Sequence, residues 1–145
     1  MKPGLTLAPG RCVVAQMPRA SCAACAEACP HGALTALPGG ISLSPGRCSG
    51  CGHCVAACPQ DALSLPQLPA AVEAEAEGVA HVSCPRAPDP PEGARLCAQA
   101  LSLRELARLW LGGTRILALR IGDCSGCPEA PGAEAGLTSR LAHLN

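Results

Sequence analysis

Leu103, Leu106, Leu109 and Trp110 recur every three or four residues, the spacing that gathers apolar side chains on one face of a helix, and that face is expected to be buried. Ser102 followed three positions later by Glu105 forms a capping box that opens this helix, and Gly112-Gly113 closes it. On either side the pattern changes. Val79-Ala80-His81-Val82-Ser83 reads as a short strand ending at Cys84, and Thr114 to Ile121, rich in branched residues, reads as a buried strand running into Gly122-Asp123-Cys124-Ser125-Gly126-Cys127. Ala94-Arg95-Leu96 suggests a further strand ending at Cys97, and a closing helix is expected from about Glu134 to Leu144. This order over residues 79–145 argues for a small α/β unit of parallel strands joined by right-handed crossovers.

Residues 1–65 follow another plan, an internal repeat. Gly4-Leu5-Thr6-Leu7-Ala8-Pro9-Gly10-Arg11-Cys12 matches Gly40-Ile41-Ser42-Leu43-Ser44-Pro45-Gly46-Arg47-Cys48 at an offset of 36. Further on, the stretch from Cys22 to Pro30, with Ala33-Leu34, matches the stretch from Cys51 to Pro59, with Ala62-Leu63, at an offset of 29. The difference is an insertion of seven residues between Cys12 and Cys22. Pro66-Gln67-Leu68-Pro69 and the Ala/Glu-rich residues that follow read as a linker over 66–78, with one helical turn at most and its glutamates in solvent.

The repeat carries chemistry. Cys48, Cys51, Cys54 and Cys58, followed by Pro59, read CxxCxxCxxxCP, and the chain here resembles the bacterial two-cluster (2 × 4Fe-4S) ferredoxins, in which three close thiolates grip one cubane and the fourth reaches the other. The first run, Cys22, Cys25 and Cys29 before Pro30, has Arg19 where that pattern wants a cysteine, and the repeat offers Cys12, the counterpart of Cys48, in its place. The resemblance implies that cluster one uses Cys12, Cys22, Cys25 and Cys58, and cluster two Cys48, Cys51, Cys54 and Cys29. It also implies a pseudo-twofold module, each half a strand, a cysteine loop, a brief helix and a return strand. The longer loop after Cys12 leaves open a three-iron cluster or a non-cysteine ligand there. A disulfide framework would need an oxidising compartment, and MKPGLTLAPG has no apolar stretch of signal-peptide length. Four-thiolate zinc sites favour two separated CxxC knuckles, which CxxCxxC is not.

Four of the twelve cysteines remain: Cys84, Cys97, Cys124 and Cys127. Each falls at or just after the carboxyl end of an expected strand, and in a parallel sheet those ends share the edge where α/β sheets place ligands. They are therefore expected to form a third centre, 2Fe-2S, 4Fe-4S or zinc. Two other readings stay open: Cys84 and Cys97 as small apolar fillers, and Cys124 with Cys127 as a redox dithiol, although Pro128 and Pro131 delay the helix that such a dithiol normally opens. Gly122-Asp123-Cys124 and the order of elements are faintly similar to small iron-sulfur subunits of hydrogenase and heterodisulfide reductase complexes. The cysteine those subunits carry upstream is missing here. His31 and His53, inside the cluster loops, are expected to be exposed or to donate hydrogen bonds near sulfur, while His81 and His143 belong to no motif.

Composition adjusts this picture in two ways. Phe and Tyr are absent and Trp110 is the one aromatic, so the core must be built of Ala, Val, Leu, Ile and the clusters themselves. The 16 glycines and 15 prolines, beside a high apolar fraction, indicate many loops rather than disorder. The formal net charge is zero, which favours a stable or apolar docking contact over electrostatic steering, and no basic face or stacking aromatics suggest nucleic acid. No apolar run is of bilayer length, so no membrane insertion is expected, and twelve thiols suit the reducing cytoplasm.

The expected architecture is thus an α+β ferredoxin-like two-cluster module over 1–65, a linker over 66–78, and a small α/β domain with four cysteines over 79–145. The expected function is single-electron transfer between redox enzymes or oxidoreductase subunits. No catalytic triad, phosphate loop or nucleotide fingerprint suggests an enzyme. The alternative is an accessory, assembly or redox-sensing factor that docks on a larger oxidoreductase.

Overall fold

A computed structural model describes residues 4–66, 76–92, 94, 96–131 and 136–142. Most of the expected linker, Arg95, His143 and both ends of the expected closing helix lie outside the described residues.

The amino-terminal part is assembled from very short elements. These are β1 (Thr6–Leu7), α1 (Val13–Gln16), α2 (Ala24–Glu27), β2 (Leu34–Leu37), β3 (Gly40–Leu43), α3 (His53–Ala57) and β4 (Leu63–Ser64). The antiparallel pairs are β1 with β4 and β2 with β3, so the first strand of each half pairs with the return strand of the other. The repeat is visible bond by bond. Ala8 N–H donates to the Ala62 carbonyl at 2.8 Å, and its counterpart Ser44 N–H donates to the Ala33 carbonyl at 2.8 Å. Gly32 and Asp61, equivalent in the repeat, both take positive φ, 55° and 51°, just after the Cys-Pro steps. That conformation costs an aspartate more than a glycine, and Asp61 is held there by contacts to Arg11 and Arg104.

The seven-residue insertion is ordered rather than a loose loop. It contains α1, whose Val14 is 4% exposed and whose carbonyl accepts from Gly39 N–H at 3.1 Å. The apolar core of this part is small: Leu34, Cys54 and Leu63, with half-buried neighbours that include Cys25 and Ile41.

After a 3-10 turn at Ala76–Gly78, the carboxyl-terminal part runs β5 (Val79–Ser83), α4 (Leu103–Leu111), β6 (Ile116–Arg120) and α5 (Leu137–Ala142). Strands β5 and β6 pair in parallel, Val79 opposite Ile116 through Ser83 opposite Arg120. Helix α4 lies between them in sequence, as a parallel pair requires of its crossover. Its amino end is the expected capping box: Ser102 Oγ accepts from Glu105 N–H at 3.1 Å, and Ser102 N–H donates to Glu105 Oε2 at 2.8 Å. Val82, Cys84, Ala87, Ala98, Leu101 and Leu137 form the core, with Leu106, Leu117 and Leu119 packed on it. No aromatic ring enters either core.

Three expectations fail here. Leu106 and Leu109 turn inward, but Leu103 and Trp110 are 42% and 61% exposed, because one two-stranded sheet offers a narrow surface and α4 covers it with a narrow stripe. Trp110 instead stacks on the Arg115 guanidinium, 4.5 Å from its ring centre. The strand expected to be buried at 114–121 is confined to β6 and is mostly half-buried, with Ile116 and Ile121 exposed for the same reason. Neither Ala94 nor Leu96 is in a strand; this stretch turns, and Ala98, Ala100 and Leu101 fill the core behind it. Among the described residues no helix is long and apolar enough to cross a membrane.

Candidate metal centres

None of the twelve cysteines forms a disulfide, and they gather into three sets of four. Cys12, Cys22, Cys25 and Cys58 line one cavity between the halves of the amino-terminal part, with Leu7, Ile41 and other apolar side chains between them. Cys12 stands just before α1, Cys22 and Cys25 bracket the entry to α2, and Cys58 caps the end of α3. Burial, then the nearby Cys58 thiol and more weakly Cys22, raises the pKa of Cys25.

The second set is built around α3. Gly50 and Gly52, with φ of 84° and 89°, bend the CSGCGHC loop so that Cys51 is buried and Cys54 enters the helix. Burial, followed by the thiols of Cys51, Cys29 and Cys48, pushes Cys54 up to about 12. A thiolate there needs compensating positive charge, which iron supplies; binding it would expel the thiol protons. The two halves also present equivalent donors to sulfur: Ala33 N–H to Cys29 Sγ and Ala62 N–H to Cys58 Sγ, both at 3.3 Å. Such bonds stabilise charge on a cluster ligand.

Arginines at equivalent places close each loop. Arg11 donates to the Asp61 carbonyl at 3.3 Å, and Arg47 donates to the Gly32 carbonyl at 3.2 Å. Both residues stand next to a cysteine within the repeat, and their recurrence was the signal that could have marked them. The sulfur donors with the apolar lining of the first set, and the sulfur donors with the buried Cys51 and Cys54 of the second, fit a cubane cluster in each.

The third set arrives from three loops. Cys84 follows β5, with its N–H continuing the ladder to the Arg120 carbonyl at 3.1 Å; Cys97 precedes α4; Cys124 and Cys127 follow β6. All four line one cavity of about 150 Å³, together with Glu129. Cys97 reaches it through the turn that replaces the expected strand. Its pKa is pushed up to about 11, chiefly by burial and then by the thiols of Cys124, Cys51 and Cys127, against the Gln99 backbone N–H. Gln99 Nε2 lies 3.6 Å from Cys124 Sγ, and Asp123 Oδ1 accepts from Ser125 N–H at 2.8 Å, which tightens the Cys124-Cys127 turn. Gly122 makes the approach of the loops feasible, since a side chain there would run into the Arg86 carbonyl. Among the described residues no three metal-binding side chains converge on the position of a single ion. A cluster instead spreads its thiolates over different irons.

One functional residue escaped the sequence entirely. Glu129 lies on the third-set loop, yet its Oε2 is 2.9 Å from His31 Nε2 and 2.8 Å from Ser49 Oγ, while its carbonyl is 3.0 Å from His53 Nε2. Burial raises the Glu129 carboxyl, and the His31 and Ser49 hydrogen bonds outweigh it and hold the group below the usual carboxylate range. His53 is fully buried rather than exposed, and burial lowers its pKa, so the neutral ring donates from Nε2 to the Glu129 carbonyl. His31 likewise serves the contact between the two parts. A glutamate two residues past a cysteine has no spacing that announces such a role.

No curated protein and no solved structure matches this chain. Residues 18–62 match the family model of the 4Fe-4S dicluster domain, a match that holds seven cysteines of the first two sets and begins after Cys12; it supports an iron-sulfur, electron-transfer role of the ferredoxin kind.

Proposed function

We propose that the chain is an iron-sulfur electron-transfer protein rather than a catalyst, passing single electrons between redox enzymes or subunits. Two 4Fe-4S clusters are held in a ferredoxin-like module, one by Cys12, Cys22, Cys25 and Cys58, the other by Cys48, Cys51, Cys54 and Cys29. Cys84, Cys97, Cys124 and Cys127 hold a third iron-sulfur centre in a small α/β domain. The bound clusters would supply reversible one-electron chemistry at potentials set by burial and by hydrogen bonds to sulfur. The protein's own part is to hold the thiolates, keep water away and direct N–H groups at sulfur, as Ala33 and Ala62 do.

The observation that carries this reading is the grouping of twelve thiols into three sets of four, two of them related by the repeat. Iron and acid-labile sulfide in anaerobically purified protein test it, with low-temperature EPR after reduction. About ten or twelve irons per chain are expected; about eight would remove the third centre, and none would remove the whole reading.

The exposure of Trp110 and Leu111, 61% and 84%, favours a second reading, an accessory factor that docks on a larger oxidoreductase through its carboxyl-terminal part. Reversible reduction without productive transfer to a candidate partner would favour that reading over the carrier.

A further inference from the structure

One group of contacts between the two parts, the one made by Glu129, lies wholly beside the second set. Each partner of Glu129 is tied to a cysteine of the second set. His31 lies two residues after Cys29, Ser49 directly after Cys48, and His53 directly before Cys54. On the other side, Glu129 lines the cavity of the third set, two residues after Cys127.

Mostly buried, with its side chain 17% exposed, the Glu129 carboxylate is satisfied only by groups across the junction. Pulling the loop away would strand it without those donors, so the contact is held firmly. A separate anchor, the ion pair of Arg104 with Asp61, joins α4 to the loop after Cys58 and does not involve Glu129.

We propose that Glu129 is a positioning residue that docks the third-set cysteines on the second set, making the second set the junction of a relay ordered first, second, third. The inference rests on the three-centre reading above. In this order the third centre and the first set are the two ends of the relay. Electrons entering at either end must cross the Glu129 contact.

The test uses full-length, anaerobically purified protein, comparing wild type with Glu129→Ala, Glu129→Gln, Ser49→Ala and Cys124→Ala. Iron and sulfide are counted in each, and EPR of the fully reduced protein measures magnetic interaction between centres. Wild type should show an interaction that Cys124→Ala, lacking the third centre, has lost. Glu129→Ala should keep its full iron content and lose the same interaction, because the centres remain but their spacing is no longer fixed. Glu129→Gln should retain it, since the amide oxygen accepts from His31 and Ser49 as the carboxylate does.

An unchanged interaction in fully loaded Glu129→Ala overturns the positioning role, and so does a Gln variant that behaves like the Ala variant. Should Glu129→Ala shed iron, Ser49→Ala decides: a weakened interaction is expected, and an unaltered one overturns the proposal. Full iron in wild type without the additional interaction refutes the order of centres alone. Wild type with about eight irons refutes the third centre itself, and the inference with it.

Discussion

In the amino-terminal part the thiols sit on duplicated loops between strands of two to four residues, whereas in the carboxyl-terminal part they come from three unrelated loops at the end of a five-residue parallel pair. The first part gathers Leu34, Cys54 and Leu63 into a cluster and buries mostly small residues besides, such as Ala28, Ala33, Ala56 and Ala62, whereas the second gathers six residues around Leu101 and Leu137. Where apolar burial is scarce, metal-ligand bonds must supply the folding free energy, and where a core exists the metal can be an addition to a fold that stands without it. On the reading proposed above, the two parts would invert the order of cause: metal would organise the chain in one, and the chain would organise a metal site in the other.

Removing the metal should break this comparison open, with the largest effect of any treatment. Chelation of iron under anaerobic conditions is expected to abolish amide protection across residues 4–66 while Val82, Ala98 and Leu101 stay protected, as followed by hydrogen exchange. Uniform loss in both parts would mean that the second also depends on its metal.

Single ligands come next. Cys54→Ala, at a buried thiol beside Cys51, Cys29 and Cys48, should cost about four irons, whereas Cys97→Ala should remove the third centre and leave about eight. Cys12→Ala should disturb the first cluster alone. If iron content and every cluster signal survive that change, the repeat has assigned Cys12 wrongly.

A smaller and more local effect is expected from Gly122→Ala. The added methyl would meet the Arg86 carbonyl, so the loops after β5 and β6 must separate, and Cys84 and Cys124 stand two residues from the clash on either side. Overpacking of this kind costs about 1–3 kcal/mol. Loss of the third centre with the two ferredoxin-type signals intact is the expected EPR result; a fully loaded variant would show that the loops adjust independently of that contact.

The same asymmetry governs how much could be read from the chain. In the duplicated part, offsets of 36 and 29 marked equivalent residues, and those residues repeat the same bonds, as Ala8 and Ser44 do, although the pairing of strands across the halves was not itself written in the repeat. In the carboxyl-terminal part local signals were legible and non-local ones were not. β5 falls on the expected residues, and Ser102 with Glu105 opens α4 as written. The outward turn of Trp110 depends on the width of a sheet that periodicity does not report, and the loss of the strand at Ala94–Leu96 depends on Ala98 and Leu101 taking the core. Glu129 was invisible because its partners are 76 to 98 residues away.

The smallest effect sharpens the comparison most finely. Ser102 satisfies an orphan N–H at the start of α4, and Glu105 returns a bond to the Ser102 backbone, so Ser102→Ala removes a cap worth about 1 kcal/mol. In metal-free protein the transition that remains belongs to the carboxyl-terminal part. Its midpoint should fall by roughly 4–8 °C per kcal/mol lost, as expected for a unit of this size. The iron content and EPR signals of the first two sets should be unchanged, because the capping-box bonds that the substitution removes run between Ser102 and Glu105. Arg104, in the first turn of the same helix, does reach Asp61 beside the first set. Fraying of α4 that also altered the first-set signal would therefore show that pair to be a mechanical link between the parts, rather than a contact between two units that melt independently.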